Sequence, residues 1–216
     1  MELTDAIQDY VKEIYKLESS GRRVTTSALA EQLGVSSPSV TAMLKKLASL
    51  GLVKHERYHG ATLTPKGERV ALEVIRHHRL LEQYLSQTLG LPIDELHGEA
   101  DRLEHALSEE LEARIDRTLG YPTHDPHGDP IPGPDLKLSR TVTAPLSTLQ
   151  PGDKAVVSRV PDGDGELLRY LAELKLTPGN SVEVRDAAPF EGPLTVRVDG
   201  QEHAISRDLA AKIGVT

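Results

Sequence analysis

VTTSALAEQLGVSSPSVTAMLKKLASLGLV, residues 24–53, reads as two short helices joined by a tight turn. Thr26 is a suitable N-cap for a helix through Leu33, and Gly34 supplies the turn. Ser37 and Pro38 then serve as N-cap and first residue of a second helix, which runs to Leu50 and stops at Gly51. The second helix is polar and cationic on one side, which gives the pattern of a helix-turn-helix.

The flanking sequence extends that unit. Ile7, Val11, Ile14 and Leu17 recur at helical spacing, so an amphipathic helix is expected over Thr4–Leu17 until SSGRR breaks it. After Gly51, LVKHERYHGATLT alternates well enough for two short strands around YHG, a β-wing. Thr64 and Pro65 cap a long helix through Leu89, Pro92 opens another helix, and Ser108 can N-cap a further one ending at Gly120. YPTHDPHGDPIPGPD is too rich in Pro and Gly for regular structure and reads as a linker. Beyond it, DKAVVSRV, NSVEVRD, LTVRVDG and EHAISRDLA read as short strands, with GELLRYLAELKL as an inserted helix, so a small β-barrel is expected. The expected fold is mainly α with a small β domain. It has a winged helix-turn-helix over residues 1–70, a helical domain over 71–135 that ends in the linker, and the β domain over 136–216.

Composition narrows the chemistry. None of the 216 residues is cysteine, which excludes disulfides, zinc ribbons, iron–sulfur clusters and thiol nucleophiles. Any metal must be held by nitrogen and oxygen. No apolar run reaches the roughly 18 residues of a membrane span, and the amino terminus lacks a basic leader and apolar block, so a cytoplasmic protein is expected. The net charge of −8 is unevenly placed, with +2 over residues 1–70, −9 over 71–135 and −1 over 136–216. The acidic middle concentrates divalent cations and leaves the +2 segment to approach a polyanion.

The exposed side of the second helix suits double-stranded DNA. Ser37, Ser39 and Thr41 can reach phosphates or base edges, Pro38 and Ala42 can meet a thymine methyl, and Lys45 and Lys46 neutralise backbone charge. Thr26 on the first helix and Arg57 and His59 on the wing add candidate contacts. The bland alternative is a three-helix domain used for protein contacts. The mild +2 balance favours sequence-specific over purely electrostatic binding.

HGEADRLEHAL, residues 97–107, places His97, Asp101, Glu104 and His105 within one face if it is a single helix. The long helix before it offers His78 and Glu82 at i, i+4, and Asp9 lies on the polar edge of the first helix. A solvated polar face is the bland reading. Six or seven N/O donors spread over three helices favour a bound cation instead. HERYH, residues 55–59, has the HExxH spacing but falls in the stretch read as the wing and not on a helix, and the chain has no nucleophile elbow or phosphate-cradling glycine loop, so an enzyme is not expected. The two alternatives are a winged-helix regulator sensing an organic ligand and a metallohydrolase.

The order of these pieces, with RHHRLLEQYL, RLEHALSEE and HDPHGDPIPGPD, resembles the diphtheria toxin repressor family of metal-dependent transcriptional regulators over essentially the whole chain. The resemblance implies a dimerisation role for the helical domain and an SH3-like, FeoA-like carboxyl-terminal domain. It implies a primary metal site at Asp9, Asp101, Glu104 and His105, and an ancillary site at His78, Glu82 and His97. Asp164 and Glu166 are candidate ancillary ligands from the third domain, while Leu167 stands where the iron-responsive branch has another polar ligand. That branch has Met and Cys where this chain has Asp9 and Asp101, and the harder carboxylates favour Mn²⁺, with Fe²⁺ next. The manganese-responsive branch lacks the third domain and has a Glu where this chain has Lys12, so a bridged pair of ions loses one carboxylate here.

The expected function follows. A cation shared by Asp9 and the 101–105 segment would hold the DNA-binding and dimerisation domains in the operator-competent geometry. Leu96, Ala100, Leu103, Leu107 and Leu111 offer a stripe for a two-fold partner, and a homodimer would read a near-palindromic operator. The resemblance implies a repressor of metal-uptake genes.

Overall fold

The computed structural model describes residues 3–56, 60–139 and 142–216. Two compact units emerge. The first takes in the chain up to His77 with Glu104–Leu107 and Pro132–Lys137; the second takes in His78–Leu103, Ser108–Ile131 and Leu138–Thr216.

In the first unit, α1 (Asp5–Ser19), α2 (Thr26–Gln32) and α3 (Ser37–Ser49) precede the strands β1 (Val53–Glu56) and β2 (Gly60–Leu63). The apolar stripe of α1 is buried as its period demands, with Val11 and Ile14 fully covered against Leu29, Val40, Leu44 and Leu47. The caps fall one residue earlier than the sequence reading. Thr25 Oγ1 accepts from Ala28 N at 3.1 Å, and Ser36 Oγ accepts from Ser39 N at 3.3 Å. With Thr or Ser at both positions of each pair, TT and SS, composition alone does not choose the cap. Gly34 makes the turn with φ +63°. The wing pairs Val53 with Leu63 through Glu56 with Gly60 in antiparallel register. Arg57 and His59, named above as wing contacts, lie outside the described residues.

The helix α4 (Pro65–Leu89) starts against the wing, where Thr64 Oγ1 accepts from Gly67 N at 3.1 Å. Gly67 is required there: a Cβ would lie 2.0 Å from the carbonyl oxygen of Leu52.

The second unit holds α5 (Ile93–Leu103), α6 (Glu109–Thr118) and the β domain. Strands β3 (Ala144–Pro145), β4 (Lys154–Arg159), β5 (Ser181–Ala187), β6 (Leu194–Val198), β7 (Gln201–Ile205) and β8 (Gly214–Val215) form one antiparallel sheet ordered β3-β8-β4-β5-β6-β7. The helix α7 (Gly165–Glu173) crosses between β4 and β5, and α8 (Arg207–Lys212) lies in the stretch read above as strand. Ser206 caps α8 through Leu209 N, and Ala210 and Ile213 close the domain core. This is the SH3-like β-sheet domain expected from the sequence.

The proposed dimer stripe divides. Leu96 and Ala100 are fully buried within the chain, whereas Leu103 and Leu111 remain 43% and 49% exposed. The helix α5 stops at Leu103, and the chain tightens into a 3-10 turn over Glu104–Ala106. A 3-10 turn advances about 120° per residue instead of 100°. The side chains after Leu103 therefore leave the face of α5.

Candidate metal centre

The same break sorts the expected ligands into two groups. Asp101 shares the face of His97, four residues back on α5, while Glu104 and His105 belong to the 3-10 turn. The donors gather as Asp9–Glu104–His105 and His78–His97–Asp101, and in each triplet one ligand atom per residue lies within 4.8 Å of the others. Asp101, expected in the primary set, is thus placed with the ancillary histidines.

In the first group, His105 Nε2 stands 2.9 Å from Asp9 Oδ1 and 3.5 Å from Glu104 Oε1, and its Nδ1 stands 2.6 Å from Gln8 Oε1. Both ring nitrogens face oxygens. A neutral imidazole carries one N–H, so one ring nitrogen donates and the other offers a lone pair, either to the Gln8 amide turned to present its NH2 or to a cation. Glu104 and Lys12 are 1% and 6% exposed, and Lys12 Nζ lies 2.5 Å from Glu104 Oε1. His77 is buried and sets its Nδ1 3.1 Å from the backbone oxygen of Glu104. Burial pushes the Asp9 carboxyl above its usual value, against the pull of His105 and Lys12.

The second group is built on two i, i+4 pairs, His78 with Glu82 on α4 and His97 with Asp101 on α5. Glu82 Oε1 receives His78 Nε2 at 3.0 Å, His97 Nδ1 at 3.5 Å and His127 Nε2 at 3.5 Å. Asp101 lies 3.3 Å from His78 Nδ1 and 3.4 Å from His97 Nε2. Burial alone would raise the Glu82 carboxyl, but the three imidazoles hold it far below the usual carboxylate range. His78 Nε2 and His97 Nδ1 approach to 3.1 Å, where only one of them can donate.

His127 was missed as a candidate because DPHGDP was read as linker. It is completely buried, and neither ring nitrogen has a hydrogen-bond partner; the 3.5 Å approach to Glu82 is an ion-pair distance. An orphaned buried imidazole costs roughly 1–3 kcal/mol and calls for a partner. A cation among Glu82, His78, His97 and His127 would supply one, so these donors fit an N/O-preferring metal. Burial opposes protonation of His127, yet Glu82 and the nearby Asp125 and Asp162 carry it upward.

The loop around His127 is held firmly. Asp125 Oδ1 accepts from His127 N and Asp129 N, both at 2.9 Å. Val160 N donates to the His127 carbonyl at 2.9 Å, and Arg159 Nε donates to Asp129 Oδ1 at 2.8 Å. Burial and the neighbouring Glu82 and Asp129 charges push Asp125 up to about 7. The signal in the sequence was the pair of aspartates flanking PHG, a spacing that lets one carboxylate accept two backbone N–H groups.

The third-domain candidates do not join either triplet. Asp164 is the N-cap of α7, with Oδ1 accepting from Leu167 N at 3.0 Å, and Glu166 lies in the first turn of that helix. The charge of Asp162, just ahead of α7, adds to the upward pull on His127.

On α3, Ser37, Pro38, Ser39, Ala42, Lys45 and Lys46 are exposed, as a recognition face requires, while Thr41 and Thr26 are half-buried. Thr41 Oγ1 donates to the Ser37 carbonyl at 3.0 Å.

Comparison with known proteins bears on both sites. Residues 2–61 match the profile of the iron dependent repressor N-terminal DNA binding domain, residues 64–133 that of the iron dependent repressor metal binding and dimerisation domain, and residues 144–216 the FeoA domain. The chain is 34% identical to the iron-dependent repressor IdeR of Mycobacterium tuberculosis over 94% of its length and 92% of the relative's. The chain belongs to the diphtheria toxin repressor family. The diphtheria toxin repressor of Corynebacterium diphtheriae is 29% identical over 99% of this chain and 98% of its own. A solved manganese-dependent transcriptional repressor in complex with manganese superposes with a TM-score of 0.89 at 40% identity, covering 97% of this chain and 99% of that one. Diphtheria toxin repressor family members are metal-dependent, DNA-binding transcriptional regulators. No described helix is long and apolar enough to cross a membrane.

Proposed function

We propose that this chain is a Mn²⁺-responsive repressor, with Fe²⁺ as the next candidate ion, that controls metal-uptake genes by binding a near-palindromic operator as a homodimer. Asp9, Glu104 and His105 would hold one ion; His78, Glu82, His97, Asp101 and His127 would hold another. The donors are oxygen and imidazole nitrogen throughout, which suits a hard or borderline divalent ion. The likeness to a repressor solved with manganese supports the same choice.

The observation that carries the reading is the facing of His105 and Asp9. Asp9 sits on α1, whose apolar side packs under α3, so whatever fixes α1 also fixes the recognition helix. Bound metal supplies a shared positive charge that favours this docked arrangement, and by linkage metal affinity becomes DNA affinity. Leu103 and Leu111 stay exposed for a partner subunit.

The test is fluorescence anisotropy of metal-free protein with DNA from its own promoter, titrating Mn²⁺, anaerobic Fe²⁺ and Zn²⁺ separately at fixed salt. Operator binding that appears only with a divalent ion supports the proposal. Equal binding in EDTA sinks it and returns the polar clusters to structural roles.

A further inference from the structure

Lys12 is a cation already buried in the first donor cluster. It follows Asp9 by three residues, so both side chains leave the same face of α1. The residue is 6% exposed, and its ammonium lies 2.5 Å from the carboxylate of Glu104, a residue that is 1% exposed. A lone buried carboxylate is costly, and a buried ammonium equally so; each is tolerated because of the other. The contact therefore joins α1 to the 104–106 turn. It also changes the charge an ion would meet. Asp9 and Glu104 together offer two negative charges to a divalent ion, and Lys12 cancels one of them.

Resting on the metal reading of this cluster, we infer that Lys12 is a tethered competitor of the ion, which pins α1 in the metal-free protein and sets the concentration at which metal takes over the site. An ion recruiting Glu104 must either displace the ammonium or bind beside it. Both routes weaken affinity relative to a cluster without the lysine. Lysine suits this role because it is a compact charge on a flexible four-carbon stem that can withdraw without disturbing the helix. The repulsion between the Asp9 and Glu104 carboxylates is accordingly relieved in advance. The site works as an exchange of one cation for another.

Mn²⁺ binding to the full-length protein, measured by calorimetry and by the EPR signal of free Mn²⁺, tests this. The step belonging to the cluster is identified as the one Asp9→Ala removes. Lys12→Gln should lower the Kd of that step at least about tenfold, and Lys12→Arg should keep it within about threefold. In thermal melts, Lys12→Gln should lower the metal-free Tm and enlarge the Mn²⁺-induced rise. An unchanged or weaker Kd in folded Lys12→Gln overturns the inference while leaving the metal site standing. If Asp9→Ala removes no step, the metal reading of the cluster fails, and the inference fails with it. Should Lys12→Gln not fold, the wild-type lysine side-chain NMR spectrum under Zn²⁺ decides: one resonance should shift with the Asp9-dependent step, and a spectrum without such a shift overturns the competitor role.

Discussion

His105 Nε2 stands 2.9 Å from Asp9 Oδ1, although 96 residues separate them in sequence. Under the proposed function these two side chains are the metal-sensitive link that fixes α1. Asp9→Ala and His105→Ala should each weaken Mn²⁺ activation of operator binding at least about tenfold, the loss of one ligand, while far-ultraviolet circular dichroism stays unchanged. A variant that still requires only the wild-type Mn²⁺ concentration would show that the facing is structural.

Lys45 and Lys46 are exposed on α3, on the side away from Val40, Leu44 and Leu47. If each meets a phosphate, Lys45→Ala and Lys46→Ala should weaken binding to operator and non-operator DNA alike. Each should reduce the slope of log K against log salt by about one per half-site. An undiminished slope would move the phosphate contacts elsewhere.

The nearness of Asp9 to His105 followed only from the family resemblance, and the division of the donors into two groups was not legible at all. Turn residues and apolar spacing are local signals, and they located every helix through α7, the wing and most of the sheet. Whether Asp101 sides with Asp9 or with His78 depends on where α5 gives way to a 3-10 turn, and LEHAL carries no glycine or proline to mark that point. His127 was hidden for a different reason. A Pro- and Gly-rich stretch has no periodicity from which burial can be read, and its order comes from Asp125, Asp129 and Arg159, brought together by tertiary structure. Lys12 was noticed as a departure from expectation, but nothing near it in sequence indicated that its partner was Glu104.

Gly128 has φ +89°, and a Cβ there would stand 1.9 Å from the Ser158 carbonyl oxygen. Gly128→Ala combines positive-φ strain with a backbone clash that no side-chain rotation relieves. The expected cost is roughly 2–5 kcal/mol, read as a lower midpoint in urea. Because the adjacent His127 carbonyl is bonded to Val160 N, the loop should shift as a whole and the second metal step should weaken with it. A wild-type midpoint would mean that the loop adapts independently of β4.

His127 and Asp164 give opposing expectations for what lies beyond the candidate ligands of α4 and α5. The imidazole is fully buried against Glu82, whereas the carboxylate is committed to capping α7. His127→Ala should therefore remove or weaken by at least about tenfold one of two Mn²⁺ binding steps, while the step that depends on Asp9 persists. Asp164→Ala should cost about 1 kcal/mol of stability through the lost cap and leave both steps in place. Calorimetric titration of the two variants beside the wild type separates the cases. If Asp164→Ala loses a step and His127→Ala does not, the orphaned imidazole has a purely structural origin and the third domain supplies the ligand from its acidic turn.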